Sequence, residues 1–244
     1  MASEALSWRA ELRGRPGLQE GLVTHCSGDL ATILGMTSSS ADRSRSDDPF
    51  AEIGDPVLAV ADKRRGLVAV AGAHEYDQAK TVGVFHVAGR ARRWLLHSQH
   101  PVNAMAFHPT LPLLAMGSGA YDGGYYFEGE LLLLHLETGT ALSLIEHHLG
   151  RQVLGLEWLN EKDLRVLMAP PDDWKDGQAH EEGHVVVVRR ADWTAVEAKS
   201  LTGRDLAGPR VPAPRPDHRE AARQVVDRLR ATRTRRHHTS RGHR

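Results

Sequence analysis

The sequence predicts an all-β fold made of three consecutive antiparallel sheets, each with four strands. Short apolar runs of five to seven residues recur along the chain and are bounded by Gly, Pro and polar turn residues. This pattern is typical of strands rather than helices. Sets of four such runs occur three times, and the equivalent residues Val57, Val102 and Val153 are 45 and 51 residues apart. A four-strand unit at this period indicates a repeat architecture.

The strands of each unit are named a to d and follow in chain order. Those of the first unit are predicted at residues 56–61, 67–73, 81–87 and 93–98. Those of the second are predicted at residues 102–107, 113–117, 131–136 and 140–145. Those of the third are predicted at residues 153–159, 164–169, 184–190 and 193–198. In every unit a polar loop joins strands b and c, at residues 74–80, 118–130 and 170–183.

The three units together form the body of the protein, residues 55–203, and the residues on either side of it do not repeat the four-strand pattern. Residues 1–54 contain an apolar stretch at 21–36, enough for one or two strands of a partial further sheet. A Ser-rich loop follows at 37–48, of the kind that is typically flexible.

The C-terminal part, residues 204–244, begins with a Pro-rich linker at 209–216. A short helix is predicted at 217–230, because Asp217 can cap it and apolar residues recur every four positions. The remaining residues are predicted to form a disordered Arg/His tail. Because the linker separates this tail from the body, we expect truncation before Pro209 to leave the body folded.

Charge is distributed unevenly over a chain whose formal net charge is zero. Residues 204–244 hold 12 Arg and 4 acidic residues, and the other 203 residues hold 19 basic and 27 acidic residues. The balance is therefore +8 in the tail and −8 in the body. Cys26 is the one cysteine, so there is no internal disulfide, which suits a reducing compartment. No apolar run approaches membrane-spanning length, and we expect a cytoplasmic protein without a membrane partner.

One stretch, LLLLHLETGTAL at residues 131–142, links the repeat to a known family. It is similar to the strand and Thr-Gly turn of WD-repeat β-propeller proteins, and the resemblance covers about residues 55–200. The family's Trp-Asp pair reads Leu136-Glu137 here, and no Gly-His pair opens a repeat. The resemblance implies a partial or open propeller, with each four-stranded unit as one blade.

Three blades do not make a ring, because propellers have about 4–8. Residues 1–54 supply a further partial blade, or two chains complete the ring as a homo-oligomer, or the chain is part of a larger propeller. The sequence leaves these three possibilities open.

The b–c loops contain the candidate binding residues, and the resemblance implies that all three loops emerge on one face. An aromatic residue stands next to Asp in each loop. Such rings supply rigid contact area, and carboxylates select cations. We therefore predict a non-enzymatic interaction scaffold that binds a cationic or amphipathic segment of a protein or peptide, with no cofactor. The predicted binding residues are Tyr76, Asp77, Tyr121, Asp122, Tyr125, Tyr126, Asp173 and Trp174. The alternative interpretation is that the same rings pack beneath the loops while Asp and Gly shape the turns.

Two other functions remain possible from the sequence. Residues 180–184, HEEGH, match the zinc-protease pattern, but that chemistry needs both His on one helix face, and Gly183 followed by valines predicts a loop entering a strand. A metal- or carboxylate-dependent hydrolase or lyase would use His74, His180 or His184 on the loop face. The Arg-rich tail is the second possibility, because clustered Arg can neutralise nucleic-acid phosphates. The tail could equally fold back on the acidic body. No catalytic or metal residue is predicted.

Overall fold

The computed structural model describes residues 48–73, 80–121, 127–148, 150–170 and 181–239. All of them belong to one of the two units into which the chain divides, Ser44–Arg244. For Tyr121, Phe127 and the helix beyond Ala231, only the backbone is described. Within these residues the fold is mostly β, with three four-stranded antiparallel sheets and one C-terminal helix. This confirms the predicted fold class.

The strands follow one another in the predicted order. The first sheet consists of β1 (Pro56–Asp62), β2 (Leu67–Gly72), β3 (Lys80–His86) and β4 (Arg92–Ser98). The second consists of β5 (Val102–Phe107), β6 (Leu113–Ser118), β9 (Leu131–His135) and β10 (Ala141–Ser143). Between β6 and β9, the short strands β7 (Ala120–Tyr121) and β8 (Phe127–Glu128) pair with each other. The third consists of β11 (Val153–Trp158), β12 (Asp163–Met168), β13 (Glu182–Arg189) and β14 (Arg210–Pro212).

The last strand of the third sheet was predicted in the wrong place. Residues 193–198 form turns, and β14 pairs with β13 instead. Trp193 is buried in the core between the second and third sheets, and its Nε1 donates to the carbonyl of Lys162 at 3.0 Å. The chain then crosses to the second sheet, where the Leu201 N–H donates to the Leu144 carbonyl at 2.8 Å. An apolar anchor, rather than strand alternation, explains the hydrophobic residues of this segment.

The sheets pack face to face, with β5 lying between β1 and β11. Every residue of β2 and of β6 is buried. One apolar core lies between the first and second sheets and another between the second and third. The three sheets do not close into a ring, and the result is an open, propeller-like arrangement.

The helix α1 (Arg219–Thr239) covers the outer face of the first sheet. Alternate residues of β2 face opposite ways: Leu67, Ala69 and Ala71 face the second sheet, whereas Val68 and Val70 belong to the α1 cluster. That cluster also contains Val226 of the helix, together with Phe50, Ile53 and Phe85. The helix therefore shields the outer apolar face of the first sheet from solvent.

The contacts of α1 and β14 change two expectations about the C-terminal part. The helix was predicted to end at Arg230 and a disordered tail to begin there, but α1 continues to Thr239, since no Gly or Pro interrupts it before Gly242. Truncation before Pro209 was expected to be harmless. It removes one strand and uncovers an apolar sheet face, so we now expect it to destabilise the body.

None of the described helical segments combines the length and the apolar character that crossing a membrane requires.

Candidate functional site

The three turns between strands a and b meet at one end of the molecule, here called the turn end. The guanidinium of Arg65, in the first of these turns, donates to the carbonyls of His108, at 3.1 Å, and Leu111, at 2.6 Å, in the second. His108 in turn reaches the third, because its Nε2 lies 2.9 Å from the carbonyl oxygen of Glu161. Since the strands are antiparallel, all three b–c loops leave from the opposite end.

At that opposite end, called the loop end, one hydrogen bond occurs in all three sheets. The N–H that follows strand b donates to the carbonyl of the residue before strand a. The bonds join Ala73 to Asp55 at 2.7 Å, Gly119 to Pro101 at 2.9 Å, and Ala169 to Gln152 at 2.8 Å. The three b–c loops are therefore attached to equivalent points by the same bond.

Two of these attachment points are also joined to each other. The side-chain amide of Asn103 donates to the carbonyls of Gly119, at 3.0 Å, and Val153, at 3.1 Å. Gly119 has a φ of 153°, and a Cβ there would lie 2.5 Å from the carbonyl oxygen of Glu128. Only glycine fits this position, because its backbone passes so close to the returning strand. The bases of the second and third loops therefore form one connected framework.

Most of the predicted binding residues lie on the part of the loops outside the described residues: Tyr76, Asp77, Asp122, Tyr125, Tyr126, Asp173 and Trp174. Tyr121 is described by its backbone, and it pairs with Phe127 in the β7–β8 hairpin that rises from the loop end. The structure therefore describes where the loops start and end, and the roles of these eight side chains stay predictions.

A polar cluster lies at the base of the second loop. Nε2 of His148 is 4.0 Å from a carboxylate oxygen of Glu128, and the rings of His147 and His148 stack at 5.3 Å. Burial raises the pKa of the Glu130 carboxyl, although a hydrogen bond with Ser143 and the nearby His148 act in the opposite direction. A half-buried carboxylate with a raised pKa is more common at functional sites than elsewhere.

His100 lies in the same cluster, and its environment favours the neutral imidazole. Burial lowers its pKa, and the charge of Glu128 opposes that effect without overcoming it. The charged neighbours that act on the pKa of His100 are Glu128, His148 and Lys80, which is the first residue of β3. Sequence reasoning did not single out Glu130, His100 or His148. The available signal was their position. His100 and His148 lie in the connections that lead to β5 and β11, and Glu130 directly precedes β9, and all of these places are at the loop end.

The turn end has a different character, because its polar groups are used within the protein. Nδ1 of His108 accepts hydrogen bonds from the N–H groups of Thr110 and Leu111 at 3.1 and 2.9 Å. The proton is therefore on Nε2, which donates to Glu161. The His108 ring also packs against Trp158, with centroids 4.4 Å apart. This network joins the sheets and has the character of structural support, so the loop end is the better candidate site.

The zinc-protease pattern does not have the required geometry in the part that is described. Glu182, Gly183 and His184 belong to β13, so they follow strand rather than helix spacing. Nδ1 of His184 lies 2.8 Å from the carbonyl oxygen of Gly208. His74 and His180 lie outside the described residues. Among the residues that are described, no three His, Cys, Asp or Glu side chains are grouped so that they would hold a metal ion.

Comparison with known proteins assigns no family to the chain. No protein-family model matches it, and no curated protein matches it.

Proposed function

We propose that this chain is a non-enzymatic interaction module, similar to WD-repeat propellers, that binds a cationic or amphipathic segment of a partner protein at its loop end. The observation that carries the proposal is the hydrogen bond repeated in all three sheets, which attaches three loops at one end. The sequence contributes the chemistry, because each of those loops carries an aromatic residue next to Asp.

Charge at the loop end supports the same kind of partner. Glu128 and Glu130 at the base of the second loop add to Asp77, Asp122 and Asp173 in the loops themselves. Carboxylates around an aromatic surface set the orientation and association rate of a cationic partner, while the rings supply most of the buried area. Replacing one well-placed aromatic residue by Ala weakens the binding free energy by about 2 kcal/mol, which is roughly a 30-fold loss of affinity.

A displayed library of random peptides tests the proposal without knowledge of the partner. The library is selected against the intact protein and against a variant carrying Tyr121→Ala and Trp174→Ala together. We expect the intact protein to enrich peptides that combine Lys or Arg with apolar residues, and the variant to lose that enrichment.

Single substitutions measured on one enriched peptide then separate the two contributions. Tyr121→Ala and Trp174→Ala should each weaken binding by roughly 30-fold. Asp122→Asn should weaken it by about 5-fold or less, and that effect should shrink in high salt. Melting temperatures serve as the control, since loop substitutions should leave them nearly unchanged. Identical peptide sets from the intact and doubly substituted proteins would show that the loops are structural only.

A further inference from the structure

His108 is a buried titratable residue at the turn end, where the a–b turns of the three sheets meet. It follows β5 and is 1% exposed. Its carbonyl accepts a hydrogen bond from the Arg65 guanidinium of the first turn at 3.1 Å, and its Nε2 donates to the carbonyl of Glu161 in the third turn at 2.9 Å. One residue of the second turn is therefore bonded to both of the other turns.

The other ring nitrogen has no place for a proton. Nδ1 accepts hydrogen bonds from the N–H groups of Thr110 and Leu111 at 3.1 and 2.9 Å, so a proton on Nδ1 would point at two other donors. A charged imidazole carries a proton on both nitrogens. His108 therefore takes up a second proton only when its ring has left this position, and the bond to Glu161 is then lost as well.

The surroundings of the ring also disfavour a positive charge. The His108 ring packs against Trp158, with centroids 4.4 Å apart. Burial lowers the pKa of His108, and the charge of Arg65 acts in the same direction, whereas Glu161 acts in the opposite direction without overcoming the effect of burial. The neutral, bonded ring is the state that this arrangement stabilises.

Charged groups approach His108 from both neighbouring turns. On the side of the first sheet, the guanidinium groups of Arg64 and Arg65 both donate to carbonyls of residues 108–111, and Asp62 pairs with Arg65. A charged His108 would place a third cation beside these two guanidinium groups. The charged residues of the two neighbouring turns are Asp62, Lys63, Arg64 and Arg65 in the first and Glu161, Lys162 and Asp163 in the third.

We propose that His108 is an acid-sensitive lock at the turn end: the neutral ring holds the three turns together, and protonation in mildly acidic solution releases the ring and opens this end of the molecule. The released ring is an ordinary imidazole, which titrates near pH 6.5, or about that value. Because the open state binds one proton more, the stability of the closed state is present above about pH 6.5 and is lost as the pH falls below that value. The lock is separate from the loop end and does not depend on the function proposed for it.

Substitution of His108 by Asn separates the proton from the hydrogen bonds. His108→Asn keeps a side-chain oxygen that accepts from the N–H groups two and three residues further on, but it takes up no proton in this pH range. His97→Asn is the matched control, because His97 is an exposed residue of β4. The equilibrium constant for unfolding is measured by urea denaturation at pH 7 and at pH 5 for both variants and for the unsubstituted protein.

The ratio of the constants at the two pH values reports the lock. His108 should multiply the unfolding constant by up to about 25-fold between pH 7 and pH 5, because an imidazole of ordinary pKa gains its proton in this interval. The ratio for His108→Asn should be smaller than that of the unsubstituted protein by about this factor, and His97→Asn should keep the unsubstituted ratio. His108→Asn also loses the bond to Glu161, which lowers stability at both pH values and cancels in the ratio.

Hydrogen exchange in the unsubstituted protein then separates opening of the turn end from global unfolding. The N–H groups of Thr110 and Leu111 donate to the His108 ring, so they exchange when the lock opens. Ala115 lies in β6, every residue of which is buried, and its N–H exchanges in larger openings. Relative to the intrinsic exchange rate at each pH, the protection of Thr110 and Leu111 should fall by up to about 25-fold between pH 7 and pH 5. At pH 5 it should be lower than that of Ala115 by about tenfold or more.

The proposal is overturned if His108→Asn and the unsubstituted protein give the same ratio, or if His97→Asn lowers the ratio as much as His108→Asn does. It is also overturned if Thr110 and Leu111 keep the same protection at pH 7 and pH 5. Equal protection of these two N–H groups and of Ala115 at both pH values would overturn it as well, since the turn end then does not open by itself.

Discussion

Replacing Val226 with Ala tests how α1 is held on the first sheet. The side chain is 1% exposed and lies in the cluster with Phe50, Ile53 and Val68. The substitution removes two methyl groups, worth about 1.6 kcal/mol in transfer free energy. It also leaves a small cavity, so we expect the free energy of unfolding to fall by about 2 kcal/mol in total.

The ion pairs of the helix should matter less than this packing. Arg223 and Asp55 are 46% and 48% exposed, and ion pairs exposed to solvent in this way contribute little to the free energy of unfolding. Arg223→Ala is therefore the informative comparison, and Gln224→Ala, at an exposed position of the same helix, is the control.

Thermal unfolding followed by circular dichroism measures all three variants. A loss of 2 kcal/mol in a unit of this size lowers the melting temperature by about 4–8 °C. We expect that shift for Val226→Ala, a smaller one for Arg223→Ala, and almost none for Gln224→Ala. If Val226→Ala melts within 1 °C of the unsubstituted protein while Arg223→Ala loses more, the helix is held by charge and the reasoning fails.

Three further predictions concern stability. Truncation after Ala207 removes β14 and α1, so it should lower the melting temperature by more than Val226→Ala does; equal melting temperatures for truncated and intact chains would contradict the packing described here. Burial alone would raise the pKa of Asp62, but hydrogen bonds from Arg65 and from the N–H groups of Arg64 and Arg65 outweigh it and hold that pKa below its ordinary value. The stability that Asp62 contributes is therefore present above about pH 4 and is lost as the pH falls through its folded-state pKa. When the free energy of unfolding is measured at a series of pH values, Asp62→Asn should lose less stability below pH 4 than the unsubstituted protein does. For Glu130, burial raises the pKa of the carboxyl, so its favourable contribution to stability is present at low pH and is lost as the pH rises through the folded-state pKa. Glu130→Gln should therefore be more stable than the unsubstituted protein at pH 7 but not at pH 4. A stability difference that does not change with pH would contradict this.

Periodicity made most of the fold predictable, because it depends on local alternation and turn residues. Eleven of the twelve predicted strands occur within two residues of their expected bounds. The exception, at residues 193–198, shows where local pattern fails: the burial of Trp193 and the pairing of Leu201 with the second sheet are long-range contacts. The pairing of β14 with β13 was missed for the same reason, since a three-residue strand in a Pro-rich segment has no local signature.

The candidate site was predictable to a smaller extent. The sequence identified the b–c loops, and the structure attaches each loop by the same hydrogen bond at the equivalent end of its sheet. It did not identify Glu130, His100 and His148, because a polar residue beside a strand has no special pattern until the ends of several strands are brought together. The cover that α1 provides was also beyond sequence reasoning, because an amphipathic helix pattern does not say which apolar face the helix meets.

Photo-crosslinking tests most directly whether the three loops form one surface. A photoreactive phenylalanine derivative replaces Tyr76, Tyr121 or Trp174, one at a time, and each protein is irradiated with the same labelled peptide enriched by selection. The control position is Glu137, which is exposed in the turn between β9 and β10, away from the loop end. We predict that all three loop positions crosslink to that peptide and that position 137 does not. Crosslinking at only one loop position, or equally at position 137, would contradict the account of a single binding surface at the loop end.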